Sequence, residues 1–116
     1  MAGRIAADVL SDTIVARDDY VGDLFALESA VSEAFLTGAA NAVVDDALVD
    51  RLLRYADIMS HSTLSVHRET AYNLIALLRE YDELVGLSER ASGRVTAVAT
   101  AAVSYTHLTL PTILLV

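Results

Sequence analysis

Two neighbouring stretches decide the fold: residues 45–62 read DDALVDRLLRYADIMSHS, and residues 66–81 read VHRETAYNLIALLREY. Apolar residues recur in both at every third or fourth position, which is the spacing of one face of an α-helix. A short polar break at residues 62–65 separates them, with Ser65 as a natural N-cap. The pattern predicts a hairpin of two helices, with apolar stripes at Leu48, Leu52, Tyr55, Ala56 and Met59 and at Ala71, Leu74, Leu78 and Tyr81.

Further helical patterns flank this hairpin. The first covers about residues 5–17, and the second opens at the acidic pair Asp18-Asp19 and stops at Gly38. Another follows Gly86 at residues 88–101, where Gly93 is a weak point. The expected core residues are Ile5, Val9 and Ile14 in the first pattern and Leu24, Leu27, Val31 and Phe35 in the second. With no sustained strand alternation, the fold class is all-α.

The second helix of the hairpin resembles the B helix of a HEAT-type repeat. Residues 46–85 carry the resemblance, through Val66, Arg68, Ala71, Leu74 and Leu78. It implies the start of a HEAT-like α-solenoid, in which helix pairs stack into a superhelix. No second copy with a matching period is visible, although a solenoid should show one. A non-repetitive helical bundle is therefore the alternative architecture.

The C-terminal stretch AVSYTHLTLPTILLV differs in composition from the rest of the chain. No charged residue occurs from Val95 to Val116, a length that would suffice to span a bilayer. Several Ser and Thr residues dilute the hydrophobicity, however, and Pro111 would break a spanning helix. No Lys or Arg follows to fix an orientation. We therefore expect no membrane segment.

Residues 103–112, VSYTHLTLPT, resemble translated sequencing-adapter DNA of the transposase type. The adapter bases GTC TCT TAT ACA CAT CTG ACG CTG CCG ACG encode these residues in order, and the preceding CT would complete an Ala102 codon. A final A, a barcode such as TACTCCTT and the bases GTGTAG would then encode Ile113 to Val116 and a stop. The resemblance implies that residues 102–116 are a non-native tail.

On this interpretation, residues 1–101 are the helical N-terminal fragment of a longer, C-terminally truncated protein. We expect the tail to pack poorly or to extend the last helix until Pro111 interferes.

Composition narrows the functional classes. Sixteen Asp and Glu residues against eight Arg and no Lys give a net charge of −8, which is poorly suited to phosphate backbones. We therefore expect no direct nucleic-acid binding by this segment. The absence of Cys excludes a disulfide framework and thiolate metal sites. With no signal peptide, a cytoplasmic location is the default.

Four side chains around the hairpin turn are candidate metal ligands: Asp57, His61, His67 and Glu69. Imidazole and carboxylate groups suit zinc or iron, and Asp57 and His61 share one helix face. No HExxH or ExxH motif accompanies them, and the turn could hold the two helices' side chains apart. In the alternative interpretation, His61 simply lies at a helix C-terminus, where a partly charged imidazole is favourable.

The remaining polar features have ordinary structural explanations. Both Asp18-Asp19 and Asp45-Asp46 fall where helices should start, so we expect capping roles. Arg51 and Arg54 could bind an anion or a partner, or Arg51 could pair with Asp50 or Asp46 on a solvated face. We expect the tyrosines at positions 55, 72 and 81 to be core residues. No nucleophile elbow or glycine-rich phosphate loop occurs, so the chain carries no catalytic or cofactor motif.

Stacked amphipathic helices without a catalytic constellation are typical of an interaction or scaffold module. Its partner would be another protein or a C-terminal domain of the same chain. The alternative is the N-terminal accessory region of a larger multidomain enzyme, for example a helicase-like ATPase.

Overall fold

The computed structural model describes residues 5–38 and 44–109, with side chains to Ala102. This part of the chain is helical apart from its connecting turns and contains no strand, which confirms the all-α prediction. Its helices are α1 (Ala6–Val15), α2 (Asp18–Thr37), α3 (Asp46–Ser60), α4 (Ser65–Leu84) and α5 (Glu89–Thr109).

Helix α3 is the centre of the molecule, because it packs against all four other helices. Its largest interface is with α4, the second helix of the predicted hairpin. Helices α1 and α5 also contact α3, and α2 contacts α4. The core therefore lies around the α3–α4 hairpin.

The hairpin buries the stripes that the sequence predicts. Leu52 and Met59 of α3 and Leu78 of α4 are fully buried, and Leu74 is nearly so. Burying one such side chain stabilises the fold by about 1.5–3 kcal/mol. Tyr81 is buried as expected, whereas Tyr55 and Tyr72 are packed at the edge of the core and only partly buried.

Most predicted helix ends are confirmed. Asp45 caps α3, since its Oδ1 accepts a hydrogen bond from the Leu48 amide at 2.8 Å. Gly38 and Gly86 follow α2 and α4 with φ values of 80° and 102°, a left-handed conformation that glycine adopts without strain. Asp18 and Asp19 lie in the first turn of α2, where they oppose the positive helix end, although Arg17 occupies the N-cap position. The Asp19 carboxylate accepts a hydrogen bond from the first-turn amide of Tyr20 at 2.9 Å, which satisfies one of the free donors of this helix end.

The prediction for Ser65 is wrong. Ser65 is the first residue of α4, Leu64 occupies the N-cap position, and no side chain caps this helix. Ser62 instead organises the turn, because its Oγ accepts a hydrogen bond from the Leu64 amide at 3.1 Å.

Helix α1 packs on a different face from the one predicted. Ile14 is buried, but Ile5 and Val9 are 46% and 50% exposed, while the polar residues Asp8 and Ser11 are buried. The physical reason is that Asp8 binds the α3–α4 turn, which orients the helix with its polar side inward.

Helix α2 departs from prediction at one position. Leu27 and Val31 are buried and Leu24 is half-buried, as expected, but Phe35 is 68% exposed. The small residues Ala30 and Ala34 complete the buried face instead. Phe35 lies about 100° around the helix from Ala34, so its side chain falls outside this buried face.

Helix α5 continues without interruption into the apolar tail as far as Thr109, the last residue whose backbone the structure describes. This course agrees with the expectation that the tail extends the last helix, while the expected effect of Pro111 lies outside the described residues. Among the described helices, none combines the length and the apolar character needed to cross a bilayer.

Candidate functional site

The four candidate metal ligands do not form one group in the described part of the chain, although Asp57 Oδ1 and His61 Nδ1 lie 3.9 Å apart. His61 is the C-cap residue of α3, as the alternative interpretation predicts, and its Nδ1 lies 2.8 Å from the Asp57 carbonyl oxygen. His67 is buried in the first turn of α4, where its Nε2 lies 3.4 Å from Asp12 Oδ1 of α1. Glu69 is exposed on α4. Over residues 5–38 and 44–102, no three potential ligands form a metal-binding group.

The sequence pattern did not indicate the buried carboxylate of Asp8, which lies on α1 and contacts the α3–α4 turn. Asp8 is 4% exposed and accepts hydrogen bonds from Ser62 Oγ at 2.9 Å, the Thr63 amide at 2.7 Å and Thr63 Oγ1 at 2.5 Å. Arg68 donates to the Ser62 carbonyl oxygen at 3.0 Å on the other side of the turn. These bonds attach α1 to the hairpin and leave Asp8 poorly placed to act as a general base.

Arg51 makes a different ion pair from the two that the sequence suggests. Its Nε and Nη2 donate to the two carboxylate oxygens of Asp23 on α2, at 2.9 and 3.2 Å. The Tyr55 hydroxyl donates to the same carboxylate at 3.1 Å, and its ring meets Tyr20 edge-to-face. Burial raises the pKa of Tyr55, and the bond to Asp23 raises it further. This arrangement joins α2 to α3.

A cluster of opposite charges joins α3 to α5. Asp46 accepts hydrogen bonds from Ser88 and Arg90, and Asp50 accepts from Arg90 and Arg94. The Arg90 hydrogen bond holds the pKa of Asp50 below its usual value. The sequence did not indicate this cluster, because its members lie some 40 residues apart.

A shallow cleft of about 490 Å³ adjoins the charged cluster, between α3 and α5. Its lining residues are Asp50, Leu53, Arg54, Asp57, Arg94 and Val98. Two carboxylates accompany the two guanidinium groups, so the cleft offers no net positive field for an anion. The anion-binding role considered for Arg54 therefore gains no support.

The most distinctive surface is the outer face of α2, which we call the α2 stripe: Val21, Phe25, Phe35 and Leu36. These side chains are 55%, 68%, 68% and 85% exposed. Successive residues of a helix turn by about 100°, so the four fall within an arc of roughly 100°. The arc lies almost opposite the buried face that contains Leu27 and Ala30.

Helix α2 is thus apolar on two faces, of which the described residues cover only one. Isolated apolar residues are common on protein surfaces, whereas several large ones on one helix face are typical of interaction sites. A signal was present in the sequence: α2 carries more large apolar residues than one helix face can hold. This signal did not point to an exposed apolar face because Phe35 was expected to lie in the core.

Comparison with protein-family models, curated proteins and solved structures finds no match.

Proposed function

We propose that this chain is a non-catalytic α-helical interaction module and that the α2 stripe is its docking surface. The observation that carries the proposal is the exposure of two phenylalanines and two aliphatic residues along one face of a helix whose opposite face is buried. Aromatic side chains, phenylalanine among them, are enriched in protein interfaces relative to the rest of the surface. The acidic surface favours a protein partner over nucleic acid.

The helix contacts also support the HEAT-like architecture as part of this proposal. In an α-solenoid, each helix contacts its own hairpin partner and the equivalent helix of the next pair. Helices α1, α3 and α5 contact one another in sequence, and α2 contacts α4, as two stacked rows require. Extended helical stacks typically serve as scaffolds, and the partner would be another protein or a further domain of this chain.

An unbiased peptide selection tests the proposed function. Random peptides displayed on phage are selected against the full chain, and each binder is assayed against Phe25→Asp, Phe35→Asp and the matched control Val66→Asp. Val66 is an equally exposed apolar residue on α4. We expect binders to lose ~30-fold or more in affinity with either phenylalanine variant, the effect of removing an interface hot spot. The proposal would be refuted if the selected peptides bound both phenylalanine variants with unchanged affinity, or if the selection gave no binders.

A further inference from the structure

The charges on α2 indicate what kind of partner the stripe accepts. All five charged residues of this helix are acidic, namely Asp18, Asp19, Asp23, Glu28 and Glu33, and none is Lys or Arg. Asp19 and Asp23 lie off the stripe and pair with Arg17 and Arg51. Asp18 and Glu28 are exposed and fall within the same arc as the stripe. Within α2 itself, both charged residues in the arc of the stripe are therefore acidic, while Arg17 at the N-cap is paired with Asp19.

This charge pattern disfavours a second copy of the chain as the occupant. Two α2 stripes packed antiparallel would bring the two Glu28 carboxylates together near the midpoint, and a parallel pair would bring the two Asp18 carboxylates together as well. Like charges across an interface cost free energy. The net charge of −8 adds a general repulsion between copies. A partner with Lys or Arg beside its apolar residues would gain attraction at the same places.

The shape of the stripe fits a helix as the bound element. From Val21 to Leu36 it extends over about 22 Å, or roughly four helical turns. The small residues Gly22 and Ser32 adjoin Phe25, and nothing lies within 4 Å of the position that a Gly22 side chain would take. The large side chains of a second helix could therefore insert between the phenylalanines, as in helix–helix packing.

We propose that the α2 stripe binds a basic amphipathic α-helix of a partner protein, with apolar residues against Phe25 and Phe35 and Lys or Arg beside Asp18 and Glu28. This inference rests on the proposed interaction function and adds the chemical class of the partner. Attraction between the charges would speed association and make the affinity decrease with salt.

Three matched synthetic peptides test the inference against the full chain. Each is a helix of about 18 residues with Leu at positions i, i+4, i+7, i+11 and i+15, and the flanking positions are all Lys, all Gln or all Glu. Fluorescence anisotropy gives Kd at about 50 mM and about 300 mM salt. We expect the Lys peptide to bind ~10-fold more tightly than the Gln peptide at low salt, and the Glu peptide to bind more weakly than either.

Three variants of the chain locate the binding. Phe25→Ala should raise the Kd for the Lys peptide by ~10-fold or more. The double variant Asp18→Asn and Glu28→Gln should remove its advantage over the Gln peptide, whereas Glu69→Gln on α4 should change nothing. All four positions are exposed, so folding is preserved.

Each contrary result has a separate meaning. Equal binding of the Lys and Gln peptides would overturn the basic partner while leaving the interaction function in place. The inference would also be overturned if Phe25→Ala left the affinity for the Lys peptide unchanged, or if none of the peptides bound. The phage selection would then test the interaction function independently of the partner's charge. Self-association of the chain that Phe25→Asp abolishes would identify a second copy as the occupant instead.

Discussion

At the scale of single residues, Asp8 explains the orientation of α1. A buried carboxylate is costly unless it is hydrogen-bonded, and here three donors of the α3–α4 turn satisfy it. The helix therefore rotates its polar side toward the hairpin and leaves Val9 exposed. Periodicity alone assigns apolar residues to the core, so it predicts the opposite rotation. Specific hydrogen bonds from a turn more than fifty residues away decide the outcome.

Replacement of Asp8 should therefore destabilise the protein. Asp8→Ala removes the acceptor for Ser62 and Thr63 and leaves the buried Ser62 hydroxyl without this partner. We expect a loss of about 2–3 kcal/mol in the free energy of unfolding, measured by urea denaturation. Asp8→Asn should lose less, because the amide keeps one acceptor oxygen. Asp57→Ala serves as the control, since Asp57 is exposed and should stay within about 0.5 kcal/mol of the parent. An equal effect of Asp8→Ala and Asp57→Ala would contradict this role.

At the scale of helices, local signals predicted boundaries better than faces. Asp45, Gly38 and Gly86 act at helix ends through their own backbone or a neighbouring amide, so the sequence is sufficient to identify them. Which face of α1 or α2 becomes buried depends on contacts between distant segments. The Asp23–Arg51 and Asp50–Arg90 ion pairs likewise join residues that are far apart in the sequence. Nothing in the local sequence identifies such partners.

Two glycines allow a test of backbone effects in helices α4 and α5. Gly93 lies inside α5 with open space where a side chain would point, so Gly93→Ala should stabilise the protein by about 0.5–1 kcal/mol through helix propensity. Gly86 has φ of 102°, so Gly86→Ala should destabilise it despite equally open space. Thermal unfolding followed by circular dichroism measures both. Stabilisation by Gly86→Ala would show that the left-handed turn after α4 is not required.

The α3–α5 charge cluster should make stability depend on pH in the acid range. The Arg90 hydrogen bond lowers the pKa of Asp50 from its ordinary value of 3.8, so the folded state favours the ionised carboxylate. The stabilising contribution of the ionised Asp50 carboxylate is complete above pH 3.8. It is lost as the pH falls through the pKa of Asp50 in the folded state. Asp50→Asn should therefore be less stable than the parent at pH 7, and the difference should shrink below pH 3.8.

Urea denaturation at several pH values between 7 and about 2.5 measures this convergence. Asp57→Asn, an exposed carboxylate on the same helix, should show a small difference from the parent at every pH. A gap between Asp50→Asn and the parent that stays constant down to the lowest pH would exclude the proposed linkage.

At the scale of the whole molecule, the hairpin could be predicted because both of its helices are strongly amphipathic and close in sequence. The stacking of the other helices on it could not, since their apolar residues cover more than one face. For the same reason, the exposure of the α2 stripe could not be predicted from the sequence. A helix with two apolar faces is compatible with burial on either, and only the three-dimensional contacts show which face is left exposed.

The C-terminal residues lead to a prediction about the gene. We propose that residues 102–116 are translated adapter DNA, because residues 103–112 can be encoded in order by the transposase-adapter bases. We therefore expect the same gene, amplified from its source DNA with primers inside the codons for residues 44–90 and sequenced without that adapter, to diverge from this sequence at about Ala102.

Helix α5 sharpens that test, because it is continuous across the proposed junction. Val95 and Ala99 are buried against α3 and α4, and Ala102 continues the same face at the next helical position. On this proposal, the codons that stand in the source gene in place of those for residues 103–116 should encode apolar residues at helical spacing that continue this face. An independent read that encodes VSYTHLTLPTILLV in codons different from those of the adapter would establish the tail as native.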